Sequence, residues 1–91
     1  MARMEVLQTD DRVEADMLLE KNPDKIVIWE SVGHGRTFVF LHPTKDELAK
    51  KMAKKLGTLM VNSMPEGWNA IVLDGGAEKV IVRLRRLGYV K

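Results

Sequence analysis

The chain has 91 residues, no cysteine and a formal net charge of +2, a length that allows one domain around a single core and leaves burial marginal enough for oligomerisation to help. Lack of cysteine excludes a disulfide framework, a CxxC redox pair and a thiolate metal site. No apolar run approaches the roughly 20 residues of a spanning helix, and MARMEVLQTDD lacks the apolar stretch of a signal peptide, so a soluble, unprocessed, cytoplasmic protein without a membrane partner is expected.

Charge is uneven along the chain. Residues 1–24 hold seven acids and three bases (net −4), whereas residues 25–91 hold six acids and twelve bases (net +6). That asymmetry suits nucleic-acid binding, an acidic segment lying against a basic one, or the steering together of two copies. Abundant Lys, Arg and Glu beside three Asn and one Gln fit a thermophile, which a melting curve tests.

Met4 to Thr9 predicts a short strand. A helix follows from Asp11 to Lys21: aspartate accepts a hydrogen bond from a free N–H of the first turn, Glu14 adds acid there, and Asn22-Pro23 stops it. Val13, Ala15, Met17 and Leu19 also alternate with Arg12, Glu14, Asp16 and Leu18 as in a half-buried strand, but helix-prone Glu, Ala, Met and Leu favour the helix.

Lys25 to Pro43 is the stretch that organises the fold. Ile26–Trp29 and Phe38–Leu41 are unbroken apolar runs, which place apolar groups on both faces of a sheet, and Val32-Gly33-His34-Gly35-Arg36 between them supplies a hairpin loop. Pro43 to Glu47 then opens a helix, with Thr44 as cap and Glu47 at the reciprocal capping-box position. Leu48, Ala49, Met52, Ala53 and Leu56 share one arc, and Leu59, Met60 and Met64 continue it, so the helix is expected to pass Gly57 and reach Met64; a Thr58–Asn62 strand is the alternative.

Pro65-Glu66-Gly67 reads as a turn, Asn69 to Leu73 as a strand and Asp74-Gly75-Gly76 as a break. Ala77, Val80, Ile81, Leu84 and Leu87 share a helical side, with Gly88 as a C-terminal stop; strand alternation of Val80, Val82 and Leu84 competes with this helix. The resulting order is α+β: a ferredoxin-like β-α-β-β-α-β series on an antiparallel sheet, plus a C-terminal helix. Two helices would cover one face, leaving the other to the third helix or to a second copy, hence an expected homodimer.

Three chemistries compete for function. Lys50, Lys51 and Lys54 form a helical stripe, and Arg83, Arg85, Arg86 and Lys91 a C-terminal basic cluster, both suited to nucleic-acid phosphates. A small anionic ligand, bound or turned over by an enzyme, is the alternative: Gly33, His34, Gly35 and Arg36, with Asp74, Gly75 and Gly76, make two loops whose N–H groups can approach phosphate. A homo-oligomeric subunit without ligand is the third. No cofactor or metal is expected, because His34 and His42 at the tip and base of one hairpin arm stand up to about 26 Å apart. His34 to Leu41 shares only Gly35, Phe38 and Val39 with the base-stacking signature of RNA recognition motifs, so Phe38 and Phe40 are expected in the core. Ser31 and Ser63 lack a nucleophile context.

Overall fold

The computed structural model describes residues 3–63 and 67–91. In chain order the elements are β1 (Val6–Thr9), α1 (Arg12–Lys21), β2 (Ile26–Ser31), β3 (Arg36–Leu41), α2 (Asp46–Leu56), β4 (Met60–Ser63), β5 (Trp68–Asp74) and α3 (Ala77–Arg86), with 3-10 turns at Val32–His34 and Pro43–Lys45. Residues Met64, Pro65 and Glu66, where most of one expected turn falls, lie outside the described part.

The first helix forms for the reason read from its sequence. Asp11 accepts from the N–H groups of Val13 (2.9 Å) and Glu14 (3.4 Å), satisfying donors that have no partner within the helix. The hairpin is also as expected, with both strands extended by two residues, and Gly35 takes the left-handed turn position at φ 61°.

Two expectations for the second helix are corrected. Thr44 does not cap it: His42 Nδ1 accepts from the Thr44 N–H (3.3 Å) and lies 2.9 Å from its hydroxyl, so these groups close a 3-10 turn, and α2 starts at Asp46 without a side-chain cap. Nor does the helix run to Met64. Gly57 is left-handed at φ 73°, its N–H reaches Lys54 O (3.2 Å) and the Thr58 N–H reaches Ala53 O (3.0 Å), a Schellman stop. Met60 to Ser63 then pair with β5 as an edge strand, close to the alternative segment. Gly57→Ala meets no neighbour within 4 Å, so only the backbone resists it; a loss of about 1 kcal/mol in chemical denaturation is expected.

The sheet order is β1-β2-β3-β5-β4, which differs from the ferredoxin-like arrangement. β1 and β2, joined through α1, are direct parallel neighbours, so no strand is inserted into this β-α-β unit; the pairs β2–β3, β3–β5 and β4–β5 are antiparallel. The outer side of the chain before β1 is taken by the C-terminus: Met4 bridges Val90, with Met4 N–H to Tyr89 O at 2.9 Å and Lys91 N–H to Met4 O at 3.0 Å. Glu5 lies between Lys25 (3.1 Å) and Lys91 (3.7 Å), and the Lys25 hydrogen bond, aided by both positive charges, holds its carboxyl below the usual range. That tie is present at neutral pH and weakens as pH falls through the lowered value.

Helices cover both faces, but the one that stands alone on its face is α1, not the C-terminal helix. Ile26, Ile28, Val39, Leu41, Ile71 and Leu73 pack against Ala49, Met52, Ala53 and Leu56 of α2 and Ala77, Val80, Ile81 and Leu84 of α3. On the opposite face, Val27, Phe40, Trp68 and Ala70 pack against Ala15 and Leu19 of α1, and the Trp68 indole N–H donates to Asp16 (3.0 Å). The apolar runs of the hairpin therefore feed two separate cores by simple alternation. Among the described residues, no helix is long and apolar enough to cross a membrane.

Candidate functional site

The two glycine loops meet at one end of the sheet, because β3 and β5 pair Arg36 with Asp74 in register. The Gly75 N–H donates to Gly35 O (2.9 Å) and the Thr37 hydroxyl to Gly75 O (2.8 Å), and Gly75 needs its positive φ of 100° to make that turn. Arg36 Nε and Asp74 Oδ1 stand 4.0 Å apart with both side chains largely in water, a pair of little energetic weight. Gly33 and Gly76 keep negative φ.

Gly76 does lead into a helix N-terminus, as anticipated, but that terminus already holds a carboxylate. Glu30 on β2 accepts from the Ala77 N–H at 2.9 Å, and its oxygens lie 3.8–3.9 Å from where a Gly76 Cβ would stand. A side chain remote in sequence thus supplies the negative charge that the first turn of α3 attracts. Glu30→Ala should cost about 1 kcal/mol, the usual value of an N-terminal cap, measured by urea titration; an unchanged midpoint would contradict the assignment.

The same end carries a shallow cleft of about 240 Å³, lined by Trp29, Ser31, His34, Arg36 and Phe38. Phe40 is in the core, but Phe38 and Trp29 are only half-buried, and the guanidinium of Arg12, the first residue of α1, stands 5.8 Å over the Trp29 ring. Their ring centroids are 4.7 Å apart, and the Trp29 N–H donates to Asp10 O (3.2 Å). Ser31 Oγ lies 2.9 Å from His34 Nδ1. His34 and His42 sit beyond opposite ends of β3. Among the described residues, no group of three His, Asp or Glu is placed to hold a metal.

A second region lies across the sheet. α2 carries four lysines against two acids, and α3 four basic residues against one acid, both on the same side of the sheet. Lys50 pairs with Asp46 (2.9 Å) and Glu47 (3.8 Å); the Asp46 hydrogen bond and charge, with Glu47 adding to them, raise its ammonium above the ordinary lysine value. Arg83 donates to Leu56 O (3.4 Å), which suits the negative end of α2, and it lines a depression of about 430 Å³ with Glu78, Lys79, Val82 and Arg86. Arg85 donates to Lys91 O (2.9 Å) at the chain end.

Of the basic residues singled out from the sequence, Lys51, Lys54 and Arg86 stand on this helical layer without an ion-pair partner among the described residues, Arg83 stands there bonded to Leu56 O, Lys50 is internally paired, and Arg85 and Lys91 form a separate C-terminal contact. Lys55 and Lys79 were missed; Lys55 follows Lys51 by four residues on the same helix, a spacing that could have identified it. Lys51, Lys54, Lys55, Lys79 and Arg86 make no ion pair with any described residue.

The acids of α1 do not lie against the basic helical layer. Glu14, Asp16 and Glu20 are on α1, and the sheet separates that helix from α2 and α3. Among the described residues, ion pairs between the segments are confined to Glu5 with Lys25 and Lys91 and to Asp24 with Lys45 (3.2 Å). Comparison of the chain with protein-family profiles, with curated proteins and with solved structures finds no match, so its functional reading rests on its own residues.

Proposed function

We propose that the protein is a nucleic-acid-binding domain that holds the phosphate backbone on the outer surface of α2 and α3. The observation that carries this reading is the set Lys51, Lys54, Lys55, Lys79 and Arg86, five cations on one helical layer with no internal carboxylate partner among the described residues. Cations already paired with carboxylates have less to gain from phosphate; these five lose little on binding it. The acids of α1 lie beyond the sheet, where they orient the molecule with its basic layer towards a polyanion.

Fluorescence anisotropy of a labelled mixed-sequence RNA duplex over a series of potassium chloride concentrations tests the reading. A slope of log K against log salt of roughly −4 to −5 is expected, from about five neutralised phosphates at roughly −0.9 each. No binding at low salt would end it.

A second reading, self-assembly, is favoured by β4. This strand is last in the sheet order, pairs only with β5 among the described residues, and carries no charge or proline to block a further strand. Val61 is 50% exposed and the preceding Leu59 82%. Pairing of β4 with β4 of a second copy would continue the sheet through a two-fold axis. Light scattering at micromolar concentration should then give a dimer mass, reduced to the monomer by Val61→Lys; a monomer mass for the unaltered protein contradicts it.

A further inference from the structure

The geometry points to a nucleotide site in the cleft between β2 and β3: one base laid against the half-buried rings of Trp29 and Phe38, with its phosphate on Arg36. The site lies across the sheet from the basic helical layer and does not depend on it.

Three observations converge on that ligand. Trp29 and Phe38 are register partners on adjacent strands and point to the same face, where both stay half-buried with the Arg12 guanidinium 5.8 Å over Trp29, so the ring surface that lines the cleft offers a flat apolar patch of the kind that stacks nucleobases of any sequence. At about 240 Å³ the cleft falls below the roughly 300–1,000 Å³ of sites for drug-sized molecules, which fits one ring system. Its rim is polar and cationic: Arg36 presents a guanidinium held by Asp74 only at 4.0 Å with both groups exposed, so it can turn to a phosphate at little cost. His34 uses Nδ1 towards Ser31 and keeps its other ring nitrogen without a partner among the described residues, available to a base edge or sugar hydroxyl. An apolar ligand would leave these groups unused, and a bare anion would leave the rings unused.

The test is a heteronuclear NMR titration of the whole chain with adenosine monophosphate, adenosine, ribose 5-phosphate and a short oligoadenylate. Trp29 and Trp68 give separate indole N–H signals, and Trp68, bonded to Asp16 beneath α1, serves as the internal control. Adenosine monophosphate should shift the Trp29 indole and the Phe38 and Arg36 amides while leaving the Trp68 indole in place. Phe38→Ala should weaken binding about 5-fold or more, the lower end for loss of one base–aromatic stack. Arg36→Gln, at an exposed position where folding is not at stake, should reduce the affinity for adenosine monophosphate to that for adenosine. Tighter binding of the oligonucleotide than of the mononucleotide would assign the base to a single strand, and equal affinity to a free nucleotide. The proposal is overturned if adenosine monophosphate moves none of these signals, if ribose 5-phosphate moves them equally, or if Arg36→Gln leaves the preference for adenosine monophosphate over adenosine intact.

Discussion

Phe40→Ala is expected to lower the free energy of unfolding by about 3–5 kcal/mol, the usual cost of emptying a large buried aromatic site. Phe40 is 2% exposed and belongs to the smaller of the two cores, with Ala15 and Leu19 of α1. Its ring centroid lies 6.0 Å from that of Phe38 and 6.4 Å from that of Trp29, and the Arg12 guanidinium stands 4.8 Å above it. Few neighbours could collapse into the space, because Ala15 and Ala70 are short and the strands beneath are fixed by the sheet. Small domains hold only about 5–15 kcal/mol in total, so the variant should be partly unfolded at room temperature. Urea denaturation checks this, with Phe38→Ala as a milder comparison because that ring is half-buried. A loss below about 1 kcal/mol, the average for any substitution, would mean that α1 is not seated on Phe40.

Reversing three charges on the helical layer, Lys51→Glu with Lys54→Glu and Lys55→Glu, should abolish measurable duplex binding at moderate salt while leaving stability nearly unchanged. All three are exposed and without ion-pair partners among the described residues, so folding loses little by their replacement. Each contributes about one unit to the salt dependence, so neutral Gln replacements should reduce the slope by about three. Glutamate adds repulsion to that loss. Reversal at Glu14 and Glu20 of α1 to lysine should not weaken binding, because those positions lie on the other side of the sheet. Circular dichroism and anisotropy on the same samples separate a folding defect from a binding defect.

Local chemistry made much of the secondary structure legible. Asp11, Gly88 and the paired apolar runs of the hairpin each act through neighbours a few residues away, and each does in the structure what its sequence context predicts. The strand order and the glycine at position 57 were decided differently. Whether a glycine interrupts or ends a helix depends on whether the next residues have somewhere better to go, and Met60 to Ser63 gain backbone hydrogen bonds along β5. Likewise β1 could be read as a strand, but its neighbour is set by α1 crossing one face of the sheet and by the C-terminal residues pairing with Met4, contacts that span almost the whole chain.

The candidate sites divide along the same line. Helical periodicity made the lysine stripe visible, since residues three and four apart share a face. That Arg83 would join it while Arg85 turned to the chain terminus depended on where α3 crosses α2. The meeting of the two glycine loops required the register of β3 on β5, and the carboxylate of Glu30 at the α3 N-terminus comes from 47 residues away, with no local signal. Trp29 and Phe38 alternate like core residues in sequence; that they stay half-buried is a result of tertiary packing with no local signal.

Whether the outer surface of α2 and α3 receives nucleic-acid phosphates is read from amide shifts of the labelled protein during titration with an RNA duplex. Shifts should cluster at Lys51, Lys54, Lys55, Lys79, Arg83 and Arg86 and fade as salt is raised, with α1 unaffected. Shifts centred on α1, or an unperturbed spectrum at low salt, would contradict it.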